Sequence, residues 1–158
     1  MKRVDKAKRF NQMTDFEDGK TGLWVEESGA EGSSIELVGG NHVFRVPLLV
    51  PRVELTTVLS QKKIRTLQGQ KYRFSLKVRL LEEGDANPVI TLRVQGENAG
   101  TTIITDTEWL TISIDFVAPA LLTDLSIAGT YFDEGPGRAI ELDEILVCAV
   151  FEPSAELA

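Results

Sequence analysis

The chain contains one cysteine, Cys148, and one histidine, His42. A single cysteine cannot close an internal disulfide, so the fold is expected to stand without one. Cys148 lies in the apolar run 145–150 and reads as a buried, inert thiol, because a catalytic thiol needs a base beside it. His42 follows Gly39-Gly40-Asn41 and has no second histidine or cysteine to share a metal with, so it reads as a solvent-exposed residue at a loop end. A phosphate-cradling glycine loop, a serine nucleophile elbow and zinc-ligand spacing are all missing. Asp133-Glu134 and Asp143-Glu144 are adjacent in sequence, and neighbours on a strand point to opposite faces. Neither pair forms the facing acid–base couple of a glycosidase, and catalysis is not expected. Nor does any stretch approach the ~18 apolar residues of a membrane span. No apolar segment follows the start of the chain, so no secretory signal is expected. The protein is expected to act where it is made, including inside a virion, or outside the cell if a signal has been trimmed.

What is present suits one globular domain. The chain has 158 residues, 42% of them apolar and 26% charged, enough to bury roughly two thirds of its unfolded surface. In residues 71–81, Tyr72, Phe74, Leu76, Val78 and Leu80 alternate with Lys71, Arg73, Ser75, Lys77 and Arg79. Period two means one buried and one wet face. The segment 89–95 repeats it with Ile90, Leu92 and Val94 inward, and 110–117 with Leu110, Ile112, Ile114 and Phe116 inward. Further strands are expected at 23–27, 34–38, 42–47, 53–60, 125–131 and 139–150. Turn residues at 39–41, 83–88, 96–100 and 135–137 separate them, and one short helical turn is expected at 61–67. Many short strands punctuated in this way predict an all-β antiparallel sandwich.

Charge divides the chain. Residues 1–9 hold five cations against Asp5, a net of +4, which leaves −11 of the total −7 on residues 10–158. The expected organisation is a basic N-terminal arm over 1–10, a jelly-roll domain over 11–151 and a loose tail over 152–158. An acidic body excludes nucleic acid by the usual electrostatic criterion. The arm reads either as a frayed end or as a clasp for an acidic partner, including another copy of the chain.

Four motifs occur in order. Asn11, Phe16, Glu17 and Gly19, followed by Gly22-Leu23-Trp24, form the first. Gln61, Leu67, Gly69, Tyr72 and Ser75 form the second, Glu108-Trp109-Leu110 the third, and Leu142-Asp143-Glu144-Ile145 the fourth. Together they resemble the jelly-roll carbohydrate-binding modules of the galactose-binding-like superfamily, the xylan- and glucan-binding type, over residues 11–150. The resemblance implies a jelly roll, no catalysis and a structural calcium joining the first loop to the last strand. Its ligands would be Glu17, Asp143 and an oxygen near Asn41, in keeping with the hard oxygen donors that calcium takes.

That family binds sugars by stacking aromatic rings on them. Aromatics make up only 7% of this chain. Trp109, Tyr72, Phe74 and Phe116 read as core and Trp24 as packed. Phe44, Tyr131 and Phe132 are left over, and Tyr131-Phe132 precede a polar loop where they become candidate ligand contacts. The row Lys71, Arg73, Lys77, Arg79 puts four cations on one face of one strand. Either Glu54, Asp115 or Glu141 on other strands answers it, or it forms a cationic groove for an acidic glycan or protein surface. Two functions remain open: glycan or cell-surface recognition, and an assembly role as a decoration, tail or fibre component of a virus or phage particle.

Overall fold

The computed structural model describes residues 10–48, 56–82, 87–130 and 138–151. Its strands are β1 (Asn11–Thr14), β2 (Val25–Glu26), β3 (Ser34–Val38), β4 (Asn41–Leu48), β5 (Thr56–Arg65), β6 (Lys71–Leu80), β7 (Val89–Val94), β8 (Glu97–Ile103), β9 (Leu110–Val117), β10 (Leu122–Thr130) and β11 (Arg138–Ala149). They form two antiparallel sheets, the all-β jelly-roll sandwich expected from the pattern. The first runs β3-β4-β11-β6-β9, with β1 also paired to β11, and the second runs β2-β5-β10-β7-β8. One 3-10 turn, Ser28–Ala30, is the sole helical element among the described residues.

Period two in β6 is the clearest cause of this architecture. Tyr72, Phe74, Leu76, Val78 and Leu80 are buried between the sheets, and Lys71, Arg73, Lys77 and Arg79 stand on the outer face. Trp24 stacks on Phe74 at 5.7 Å, Phe16 on Phe44 at 5.5 Å and Tyr72 on Phe116 at 5.8 Å between ring centroids. Each large side chain buried in this way contributes about 1.5–3 kcal/mol. Phe44, left over by its sequence pattern, is therefore a core residue, at 1% exposure.

Several local expectations are corrected. No helical turn forms at 61–67, because β5 continues to Arg65 with a bulge at Lys63, whose φ is +59°. The pairing of β5 with β10 slips there, between Thr123 and Leu125, and one extra residue breaks the two-residue period. The turn at 96–100 shrinks to Gln95-Gly96, both at positive φ, as a tight hairpin requires. Gly100 instead lies in β8, where a Cβ would stand 2.5 Å from Ile114 Cγ2. Leu110 pairs with the buried Val78, yet it lies on the edge strand and is 41% exposed. Trp109 precedes it, is 37% exposed and lies beneath Arg79 rather than in the core. Cys148 is half-buried, in register with Arg73.

Candidate functional site

The cationic row on β6 is answered within its own sheet. Glu141 of β11, fully buried, accepts from Arg79 Nε at 2.9 Å through Oε1, and from Arg45 Nε and Nη2 at 3.1 and 2.8 Å through Oε2. Arg79 also lies 4.6 Å from the centre of the Trp109 ring. Arg73 grips Asp115 of β9 at 2.8 and 3.1 Å, and Lys71 stands 4.0 Å from the same carboxylate. The Arg73 bond holds the Asp115 carboxyl below its usual range. Lys77 pairs with Glu144. Alternation would turn Glu144 away from Asp143, but a bulge at Glu144 (φ +47°) breaks the pleat and keeps both beside Lys77. Glu54, Tyr131 and Phe132 lie outside the described residues, as do the arm over 1–9 and the tail over 152–158.

Of the three expected calcium ligands, Glu17 and Asp143 are near enough for their charges to interact, and Asn41 precedes the residue that Glu17 bonds. Glu17 follows β1 and accepts from the His42 backbone N–H at 2.8 Å, with His42 Nδ1 3.2 Å from its other oxygen. The backbone bond, with help from the ring, holds the Glu17 carboxyl below the ordinary range. His42 is thus half-buried and tied, not a free loop-end residue. Asn41 is exposed at the start of β4. Burial pushes the Asp143 carboxyl up to about 6 against an opposing bond from the Glu144 N–H, and the charges of Glu144, Glu17 and Asp15 add to the rise. Among the described residues no three His, Cys, Asp or Glu side chains converge into a ligand set by themselves.

The second sheet carries a different feature on its outer face. A cavity of about 260 Å³ opens there, lined by Glu27, Thr57, Ser60, Lys62, Asp124 and Ser126. Cross-strand register builds its floor: Ser60 of β5 pairs with Ser126 of β10. Short polar side chains leave this part of the face recessed. Two devices fix its walls. Ser60 Oγ donates to Glu27 Oε1 at 2.6 Å, and the Glu27 N–H donates to Val58 O at 2.9 Å. Across the cavity, Asp124 Oδ1 accepts from the Lys63 N–H at 2.8 Å, and the Asp124 N–H donates to Gln95 Oε1 at 2.6 Å. Asp124 therefore ties the β5 bulge to the β7–β8 turn, whose Gly96 also lines the cavity. The lining offers carboxylate acceptors, hydroxyls and an exposed ammonium donor, of which Glu27, Ser60 and Asp124 are held by hydrogen bonds, a set that can hydrogen-bond to neighbouring hydroxyl groups on a ligand. None of these residues belongs to a sequence motif. The only trace is the Lys62-Lys63 break in the β5 period.

No family model matches the chain, and no curated protein matches it. Solved structures do. The CBM22-1 xylan-binding domain of Paenibacillus barcinonensis Xyn10C superposes with a TM-score of 0.64 at 15% identity, covering 90% of this chain and 95% of that one. TmCBM61, solved with β-1,4-galactotriose, gives 0.63 at 16% identity over 87% and 95%. The chain shares the jelly-roll fold of these carbohydrate-binding modules. The same jelly roll also matches part of the Clostridium thermocellum Xyn10B CBM22-1–GH10 modules complexed with xylohexaose, at a TM-score of 0.61 and 18% identity. There it covers 90% of this chain and 28% of the longer one.

Proposed function

We propose that this chain is a non-catalytic glycan-recognition module that holds saccharide in the cavity on its second sheet, where carboxylates and hydroxyls stand beside apolar surface. The observation that carries the reading is a walled, hydrogen-bonding cavity on the open sheet face of a carbohydrate-binding-module fold. No aromatic side chain among the described residues lines it, so in this proposal hydroxyl hydrogen bonds supply most of the binding. The test is a broad glycan array with the wild type and Ser126→Arg, which places a long side chain across the floor. The expected result is selective binding by the wild type that falls at least about tenfold in the variant. Binding that survives the substitution counts against this location.

Calcium belongs to the same proposal. Burial raises the Asp143 pKa most, the charges of Glu144, Glu17 and Asp15 add to it, and a cation held by these carboxylate oxygens would relieve both effects. Glu17 and Asp143 would hold the ion, with oxygens near Asn41 and backbone carbonyls completing the ligand set. When bound, calcium would join the first loop to the last strand.

The consequence for pH follows from linkage. In chelator, the folded-state pKa of Asp143, about 6, lies above the ordinary value of 3.8. Between those values the folded chain holds a proton that the unfolded chain has lost, so this group's contribution to stability rises as pH falls through 6. Melting curves in chelator should show a component of this sign that Asp143→Asn removes, and at pH 7 the variant should melt higher than wild type. Added calcium should raise the wild-type midpoint and leave the variant unchanged. Equal calcium shifts in both proteins would rule out this ligand set.

A further inference from the structure

We infer that the cavity takes the end of a glycan chain, or a short oligosaccharide, and not the interior of a polysaccharide. This deepens the glycan reading above and rests on it. The argument is the shape of the sheet face on either side of the cavity.

Toward the far end of β10, the register puts Ala128 beside Thr57 and Thr91, and Thr130 beside Val89, on the same outer face. A polymer lying along the strands would have to touch these side chains. Ala128 and Thr91 are 0% exposed and Thr130 is 3% exposed, so the face is closed there. In the other direction stands the Gln95-Gly96 turn. Asp124 holds it through the Gln95 side chain at 2.6 Å and through the Gln95 backbone N–H at 2.8 Å. The cavity is therefore bounded along the strands on both sides.

Size agrees. At about 260 Å³ it falls below the ~300–1,000 Å³ of an ordinary small-molecule pocket. The chemistry agrees as well. An interior sugar residue has two of its oxygens committed to glycosidic linkages, whereas a non-reducing terminal residue has one of those freed as a hydroxyl. Each extra hydroxyl matters in a site built from fixed carboxylates and hydroxyls, because a polar group left unpaired in it costs affinity.

The experiment is calorimetric titration with xylo-, cello-, β-1,4-galacto- and chito-oligosaccharides of two to six residues, and with soluble polysaccharides of the same linkages. The expected result, in whichever series binds, is an affinity flat to within about twofold from the shortest bound member to the hexamer. Each polysaccharide chain should bind one protein, whatever its length. Affinity that climbs roughly tenfold or more along the series, or many proteins bound per chain, overturns the inference and leaves glycan recognition standing. If no series binds and the array is blank as well, the glycan reading itself fails. Ser126→Arg should abolish binding to the shortest active oligosaccharide, and full retention would show that the short ligand binds elsewhere.

Discussion

Glu141→Ala is expected to cost about 3 kcal/mol of stability. Glu141 is a fully buried carboxylate between Arg45 and Arg79, with four nitrogen–oxygen distances of 2.8–3.1 Å. Taking away one partner of such a network leaves uncompensated charge, which typically costs about 3–5 kcal/mol. The lower end applies here because the two arginine side chains are 33% and 25% exposed and regain some water. For a chain of this size the midpoint should fall by about 6–12 °C. The same physics gives the control. Replacing all three residues with apolar side chains, as Arg45→Met, Glu141→Leu and Arg79→Met together, removes the charges and should recover most of the loss. Urea unfolding of the two proteins checks both statements. A single-variant loss below about 1 kcal/mol, as for an exposed ion pair, would contradict the account of this face as a mutually neutralised ladder.

Gly29→Ala should both destabilise the fold and weaken the cavity. Gly29 sits in the 3-10 turn that packs on the edge of β5, where a Cβ would stand 2.6 Å from Thr57 O and 2.9 Å from Thr56 O. Both are backbone oxygens of a paired strand and have little room to give. The turn must move instead, at a cost of about 1–3 kcal/mol. Glu27 enters that turn, and Glu27 O accepts from the Ala30 N–H at 2.9 Å. Displacing the turn draws the Glu27 carboxylate away from Ser60 and so disturbs the cavity wall. Ser28→Ala, an exposed neighbour, should change neither property. If Gly29→Ala keeps wild-type stability and glycan affinity, the close approach does not position Glu27.

The first sheet was legible because its strands obey one rule. In β6 a buried and a wet face alternate without interruption, and the four cations advertised a face that needed answering. Asp115 and Glu141 were foreseeable partners. Glu144 was not, because it reaches Lys77 only through a bulge that the alternation rule excludes. The second sheet was harder to read for the same reason. The Lys63 bulge made the end of β5 look helical, and Gly100 looked like a turn although it is a glycine for lack of space beside Ile114. Trp109 reads as core because the sequence does not show that the strand it leads into ends a sheet. The cavity left almost no trace: serines, threonines and single carboxylates on separate strands carry no spacing, and only cross-strand register brings Ser60, Ser126 and Glu27 together.

The most direct test of glycan recognition on the second sheet is an NMR titration of the labelled chain with the oligosaccharide that the array identifies. The account predicts that amide shifts concentrate at Thr57, Ser60, Asp124 and Ser126. Shifts confined to Arg73, Lys77 and Arg79 on the opposite sheet, with the cavity residues unmoved, would contradict it.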